Sequence, residues 1–172
     1  MEPREVSLQY QSKHHIGLKI LNRLSKPNLI LVVIILLSLL LRIWKVSAIP
    51  NGFFCDEASI GYNAYSILKN GQDEWGKHLP LFFKAFGEYK NPVAIYSSIL
   101  PIAVFGLSEF STRLNSVIYG VLGVIAVYSL GKIIVNQRVG LISSLLLSIS
   151  PWHVHLSRVS LEGLTPFVFL LL

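Results

Sequence analysis

Thirteen consecutive residues at positions 29–41, LILVVIILLSLLL, carry no charge and only one polar side chain, Ser38. Continued to Val46, the stretch is long enough as a helix to cross most of a ~30 Å hydrocarbon core. No soluble fold hides such a run easily in a chain of 172 residues, and the composition agrees: 52% hydrophobic, 14% charged, too little charge to solvate a soluble surface. Further apolar blocks follow at 91–106, 113–135 and 139–154. Together they predict an all-α fold, a polytopic transmembrane helical bundle.

The flanks orient it. Residues 1–26 carry Arg4, Lys13, Lys19, Arg23 and Lys26 against Glu2 and Glu5. This basic, partly disordered tail is expected to be cytoplasmic, and Arg42, Lys45 and Trp44 are expected at the opposite interface, the two cations by snorkelling. A secretory signal would place its charges nearer the apolar core, and Arg42 and Lys45 interrupt the approach to VSAIP, so the span is read as uncleaved. The net charge of +6 follows from this asymmetry, and nucleic acid is not expected as a partner. The single Cys55 rules out an internal disulfide and a cysteine-based metal cluster. Residues 27–172 form the membrane part, with an outer loop over about 47–111. The chain closes on TPFVFLLL without an interfacial flank, which reads as a truncated span. The expected location is the plasma membrane, multi-pass.

Inside the outer loop, a helix is predicted from Asp56 to Asn70, with Asp56 as N-cap and Gly71 in the left-handed C′ position. Ile60, Ala64, Ile67 and Leu68 make its apolar stripe. Residues 72–90 are a polar loop rich in aromatics, with Trp75, Phe82, Phe83, Phe86 and Tyr89 expected to anchor to lipid. The segment 91–106 contains two prolines and reads either as a thin span or as a juxtamembrane helix. Charge favours the second, because Lys132 and Arg138 then fall inside. The long helix after residue 113 holds Gly120, Gly123 and Gly131 for close packing, and Ser111 is expected to cap it.

In that arrangement the outer face collects Asp56, Glu57, Glu88, Lys90, His153, His155, Arg158 and Glu162. A carboxylate there can take a proton from a hydroxyl or amine nucleophile, and cations can hold a phosphate. Transfer of a sugar from a lipid phosphate needs both, and its leaving group needs no general acid. Simpler readings stand beside this one. Asp56 and Glu57 can serve a helix N-terminus, Lys90 and Glu88 can be loop charges, and Arg158 can anchor at headgroups. His153 and His155 are more commonly interfacial or core histidines than metal ligands. A divalent metal ion at the acid pair stays open, although no ligand spacing indicates one.

IPNGFFCDEASIGYNAYSILKNG (49–71), GEYKNPVAIYSSILPIAVFGLSEFSTRLNS (87–116) and SPWHVHLSR (150–158) resemble successive landmarks of GT-C glycosyltransferases of the bacterial protein O-mannosyltransferase and aminoarabinose-transferase type, similar to glycosyltransferase family 39. The resemblance implies an Asp–Glu pair after the first span with Asp56 as catalytic base and Glu57 supporting it. It implies Lys90 on the donor phosphate, although KNP departs from the tighter KP of some members, and Arg158 as a second phosphate contact. Glu88, Glu162 and His155 are further candidates. It also implies a polyprenyl-phosphate sugar as donor, the lipid bilayer as environment, an inverting hexosyl- or pentosyltransferase activity and a role in glycosylation at the cell envelope. The acceptor stays open, no metal ligand is assigned, and such enzymes are longer, so this length alone is expected to be inactive. The alternative is a non-catalytic membrane protein, either a transporter piece or an assembly partner. A transporter would need ionisable groups at mid-membrane, whereas here they gather at one face.

Overall fold

A computed structural model describes residues 26–163. The basic residues of the tail before Lys26 and the closing apolar run lie outside them. The described chain comprises α1 (Lys26–Ile43), α2 (Cys55–Asn70), a hairpin of β1 (Phe83–Ala85) and β2 (Glu88–Lys90), α3 (Pro92–Phe105), α4 (Glu109–Ile134), α5 (Gln137–Ile149) and α6 (Pro151–Leu156). Two compact units part between Val33 and Ile34; the described part of the first is the opening stretch of α1, and everything below concerns the second. Of the helices, α1 and α4 are long and apolar enough to cross a membrane, and α3 and α5 are shorter apolar helices.

On α1, α5 and the first half of α4 many buried side chains are small or polar while large aliphatic ones are exposed. On α1 the buried positions are Ile34, Ser38 and Arg42, one turn apart, while Leu36, Leu39, Leu40 and Ile43 are exposed. On α5 Ser144 and Ser148 are buried, and Ile142, Leu145, Leu146 and Ile149 are exposed. The first half of α4 buries Ser111, Thr112, Arg113, Asn115 and Ser116, and Ile118, Leu122, Ile133 and Ile134 face out. Small and polar groups inside with aliphatic groups outside is the pattern expected where lipid replaces water as the solvent. Helices α4 and α5 are joined by Val135 and Asn136, whose Oδ1 accepts the Val139 N–H (3.0 Å) and caps α5. Their backbones touch at Gly131 and Gly140: a Cβ on Gly140 would stand 2.6 Å from the Tyr128 carbonyl oxygen. The expected close packing at Gly131 therefore occurs, with Gly140 as its partner.

An aliphatic and aromatic core ties α2, the hairpin and α3 together. Ile60, Ala64 and Ile67 pack with Phe83, Ile95 and Ile102, and Phe83 meets the Tyr96 ring edge-on at 5.4 Å between centroids. Three of the four predicted stripe residues are in this core; Leu68 is not, being 38% exposed. The hairpin is absent from the sequence expectation. It turns through Phe86 (φ 49°) and Gly87 (φ 90°), the two-residue geometry with both central φ positive that suits strand twist. A phenylalanine at the first of these positions is not a turn signal, so the strands read as loop.

Two caps also differ from expectation. The N-cap of α2 is Phe54, and Asp56 lies one residue inside the helix. Glu57 reaches back to the Phe54 N–H (3.1 Å), which satisfies an orphan donor and leaves Asp56 out of the capping role. Gly71 takes the left-handed conformation as predicted (φ 68°), its N–H on the Ile67 carbonyl. At α4 the cap is Ser108, and Ser111 returns the bond: Ser108 Oγ accepts the Ser111 N–H and Ser111 Oγ accepts the Ser108 N–H.

Candidate active site

Arg113 enters on the first turns of α4 and is fully buried. Its guanidinium uses all five N–H donors. Nε donates to Glu57 Oε1 (2.9 Å) and Nη2 to Glu57 Oε2 (3.0 Å), a bidentate pair. Nη1 donates to the carbonyls of Val46 (2.9 Å) and Pro50 (3.1 Å), and Nη2 also to that of Gly52. One side chain thus fixes the connection between α1 and α2 and orients the acid pair. Glu57 is saturated as well, accepting the Ser160 N–H (2.9 Å) in addition to Phe54 and Arg113. Burial pushes its carboxyl upward, but the Arg113 hydrogen bonds and the two backbone amides outweigh this and hold it below the ordinary range. Glu57 is therefore tied into the protein framework through both carboxylate oxygens.

Its neighbour points elsewhere. Asp56 Oδ1 accepts a hydrogen bond from Lys90 Nζ at 2.6 Å. Lys90 ends β2 with its side chain inward, 2% exposed, whereas Asp56 is 27% exposed. The same ammonium meets Glu162 Oε1 at 3.3 Å and Glu88 Oε1 at 3.6 Å. Glu162 Oε2 accepts the Asn91 N–H (2.7 Å), which ties the segment after α6 to the start of α3. Burial alone would depress the Lys90 ammonium, but Asp56 and Glu162 raise it above its ordinary value. The structure thus brings together four residues singled out in the sequence, Asp56, Lys90, Glu88 and Glu162, from three separate segments.

Arg158 is placed differently. Nη1 donates to the Leu41 carbonyl (2.8 Å), Nη2 to those of Trp44 (2.6 Å) and Ile49 (3.0 Å), and Nε to Ile49 (3.2 Å). It occupies the carbonyls left open at the C-terminal end of α1. His155 lines a cavity of about 370 Å³ with residues 50–54, Glu57, Leu156, Val159 and Leu161. Among the described residues no three His, Cys, Asp or Glu side chains are grouped to hold a metal ion.

Arg42 does not snorkel as expected. It is fully buried and donates to Ser38 Oγ (2.8 Å), to the Ser148 carbonyl (3.1 Å) and, through Nη2, to His153 Nδ1 (2.7 Å). The Nδ1 is therefore an acceptor, and the ring is neutral. Burial and the Arg42 charge hold His153 down to about 4. The sign follows: a group easier to protonate when unfolded stabilises the fold above ~6.5 and loses that contribution as pH falls toward 4. Thermal unfolding in detergent should show the midpoint falling between pH 6.5 and 4, and His153→Gln should flatten that fall. An unchanged slope in the variant would remove His153 from the account.

Arg113 was legible as part of a motif, and its function as the hub was not. The available signal was an arginine in the polar first turns of a 26-residue helix whose remainder is largely apolar, where a buried charge without a partner would be expensive. Against known families, residues 89–172, a little under half of the chain, match the model of the family described as dolichyl-phosphate-mannose-protein mannosyltransferase. The resemblance read from the motifs is borne out over that stretch, which supports a membrane glycosyltransferase of the GT-C type. No curated protein and no solved structure matches the chain significantly.

Proposed function

We propose, with that match as premise, that the protein transfers a sugar from a polyprenyl-phosphate carrier to an acceptor on the non-cytoplasmic face, with Asp56 as general base. The observation that carries the reading is the 2.6 Å pair of Asp56 and the buried Lys90 ammonium. It sets a proton acceptor beside a phosphate-binding cation, at the start of the stretch that matches the family. In the reaction the acceptor O–H or N–H gives its proton to Asp56 while the acceptor atom forms a bond to the anomeric carbon. The bond from that carbon to the phosphate oxygen breaks, and its electron pair leaves with the polyprenyl phosphate. Lys90 offsets the negative charge gathering there, and inversion follows from attack opposite the leaving group. Glu57, Arg113 and Arg158 hold the backbone around Asp56.

The orientation rests on geometry of the same kind. The ends of α1 and α5, the N-termini of α2 and α4, and α6 are bound to one another through Arg42, Arg113 and Arg158. Both ends of α3 are held by neighbouring groups: Asn91 N–H by Glu162 and the Gly106 carbonyl by Ser111. This supports α3 as a juxtamembrane helix and the site as an outer layer over α1, α4 and α5. The test is retention of a labelled polyprenyl-phosphate sugar by purified protein in lipid nanodiscs. Lys90→Gln should weaken retention about tenfold or more, as expected for loss of a charge-assisted contact. No binding by the unaltered protein, or equal binding by the variant, would refute the reading.

A further inference from the structure

The arrangement around Lys90 is that of a site not yet ready to react. An ammonium has three N–H donors, and here three carboxylates surround it, Asp56 at 2.6 Å, Glu162 at 3.3 Å and Glu88 at 3.6 Å. A phosphate joining this cluster adds a fourth anion beside one lysine, and repulsion among the acids favours release of one of them. The base and the leaving phosphate also stand on opposite faces of the same anomeric carbon, so the phosphate arrives in the neighbourhood of Asp56, one hydrogen bond and the two partial bonds of the displacement away. We propose that the incoming lipid phosphate takes Lys90 away from Asp56, so that donor binding itself releases the base. This rests on the donor reading above and adds to it an order of events: the donor binds first, and only then can the acceptor be deprotonated.

The three carboxylates are not equivalent. Glu162 has a second hold, since Oε2 accepts the Asn91 N–H at 2.7 Å. Glu88 is already loose, 68% exposed and beyond hydrogen-bond distance. Asp56 makes the short contact, and among the described residues Lys90 is the side chain that occupies it. The exchange is assigned to Asp56 because only its release also frees the base, while Glu162, with its second hold, keeps the ammonium tethered near the entrance to α3. The base is masked in the empty protein and becomes available only when a carrier is bound, which suppresses proton transfer without a donor.

A double-mutant cycle on lipid binding tests this without any turnover. Polyprenyl phosphate without a sugar is titrated into the purified full chain in nanodiscs. If Asp56 and the phosphate compete for Lys90, Asp56→Asn should bind the lipid phosphate at least tenfold more tightly than the unaltered protein. That gain should vanish in a Lys90→Gln background, whereas simple repulsion by Asp56 would persist there. Glu88→Gln removes the same charge and should change binding less than twofold. Binding by the unaltered protein with no gain in Asp56→Asn, or a gain that survives Lys90→Gln, would overturn the exchange and leave the donor reading standing. No lipid-phosphate binding in any variant would overturn the donor reading and the exchange with it. Inorganic phosphate at equal concentration should not compete; full competition would sink the assignment to a lipid carrier.

Discussion

An Asp56→Asn protein is expected to reach the membrane in normal amount and to transfer no measurable sugar. Removing a general base typically costs about 10²–10⁴ in rate, and the amide cannot accept the acceptor's proton. The fold should not suffer, because Asp56 neither caps α2 nor enters the core. Phe54 and Glu57 make the start of that helix, and among the described residues Asp56 has only its contact to Lys90 to lose, an ammonium that keeps Glu162 as partner. The measurement is transfer of label from a polyprenyl-phosphate sugar, beside yield and thermal midpoint in detergent. Asp56→Glu keeps the carboxylate and moves it by one methylene, so part of the activity should return. Normal turnover by the asparagine variant would exclude Asp56 as base, whatever became of the rest of the site.

Arg113→Lys should do the opposite, lowering activity through the fold. Lysine has three donors on a point charge where arginine presents five in a plane, and the five are committed to Glu57 and the carbonyls of Val46, Pro50 and Gly52. At least two buried acceptors would be left open, and breaking a buried ion pair is worth about 3–5 kcal/mol. A large drop in folded yield and thermal midpoint is expected for Arg113→Lys and for Arg113→Met. Adding Glu57→Gln to Arg113→Met should recover part of the loss, because the unpaired buried charge disappears with it. If the double variant is no better than the single, the pair is not coupled as described. Acid should act in the same direction. Glu57 is depressed when folded, so its contribution is present above ~4.3 and is lost as pH falls through its lower folded value.

Much of the architecture was present in one-dimensional form. Periodicity and length alone located α1, α2 and α4, because a helix needs only local hydrogen bonds and an apolar run long enough to cover them. Gly71 announced its own cap, because few other residues take a positive φ cheaply. The acid pair, Lys90 and Glu162 were legible as candidates since charged groups beside apolar runs are few, and the motif order tied them to a family that residues 89–172 indeed match. The hairpin was not legible, since its turn places Phe86 at a positive φ, which phenylalanine rarely adopts.

What the sequence by itself determined is which segments are helical, which way the greasy faces go, and which residue types stand ready for chemistry. Only the tertiary structure separated the surroundings of Asp56 from those of Glu57. Two adjacent acids look alike in a string, but successive side chains on a helix point about 100° apart. One therefore meets Arg113 in the interior and becomes scaffold, while the other meets Lys90 at an accessible edge and becomes the candidate base. The same holds for Arg42, Arg113 and Arg158: each sits near a predicted helix end, and the carbonyls, serines and histidine that absorb their charge come from segments up to 117 residues away. Electrostatic partners are chosen by distance in space, which a sequence does not record.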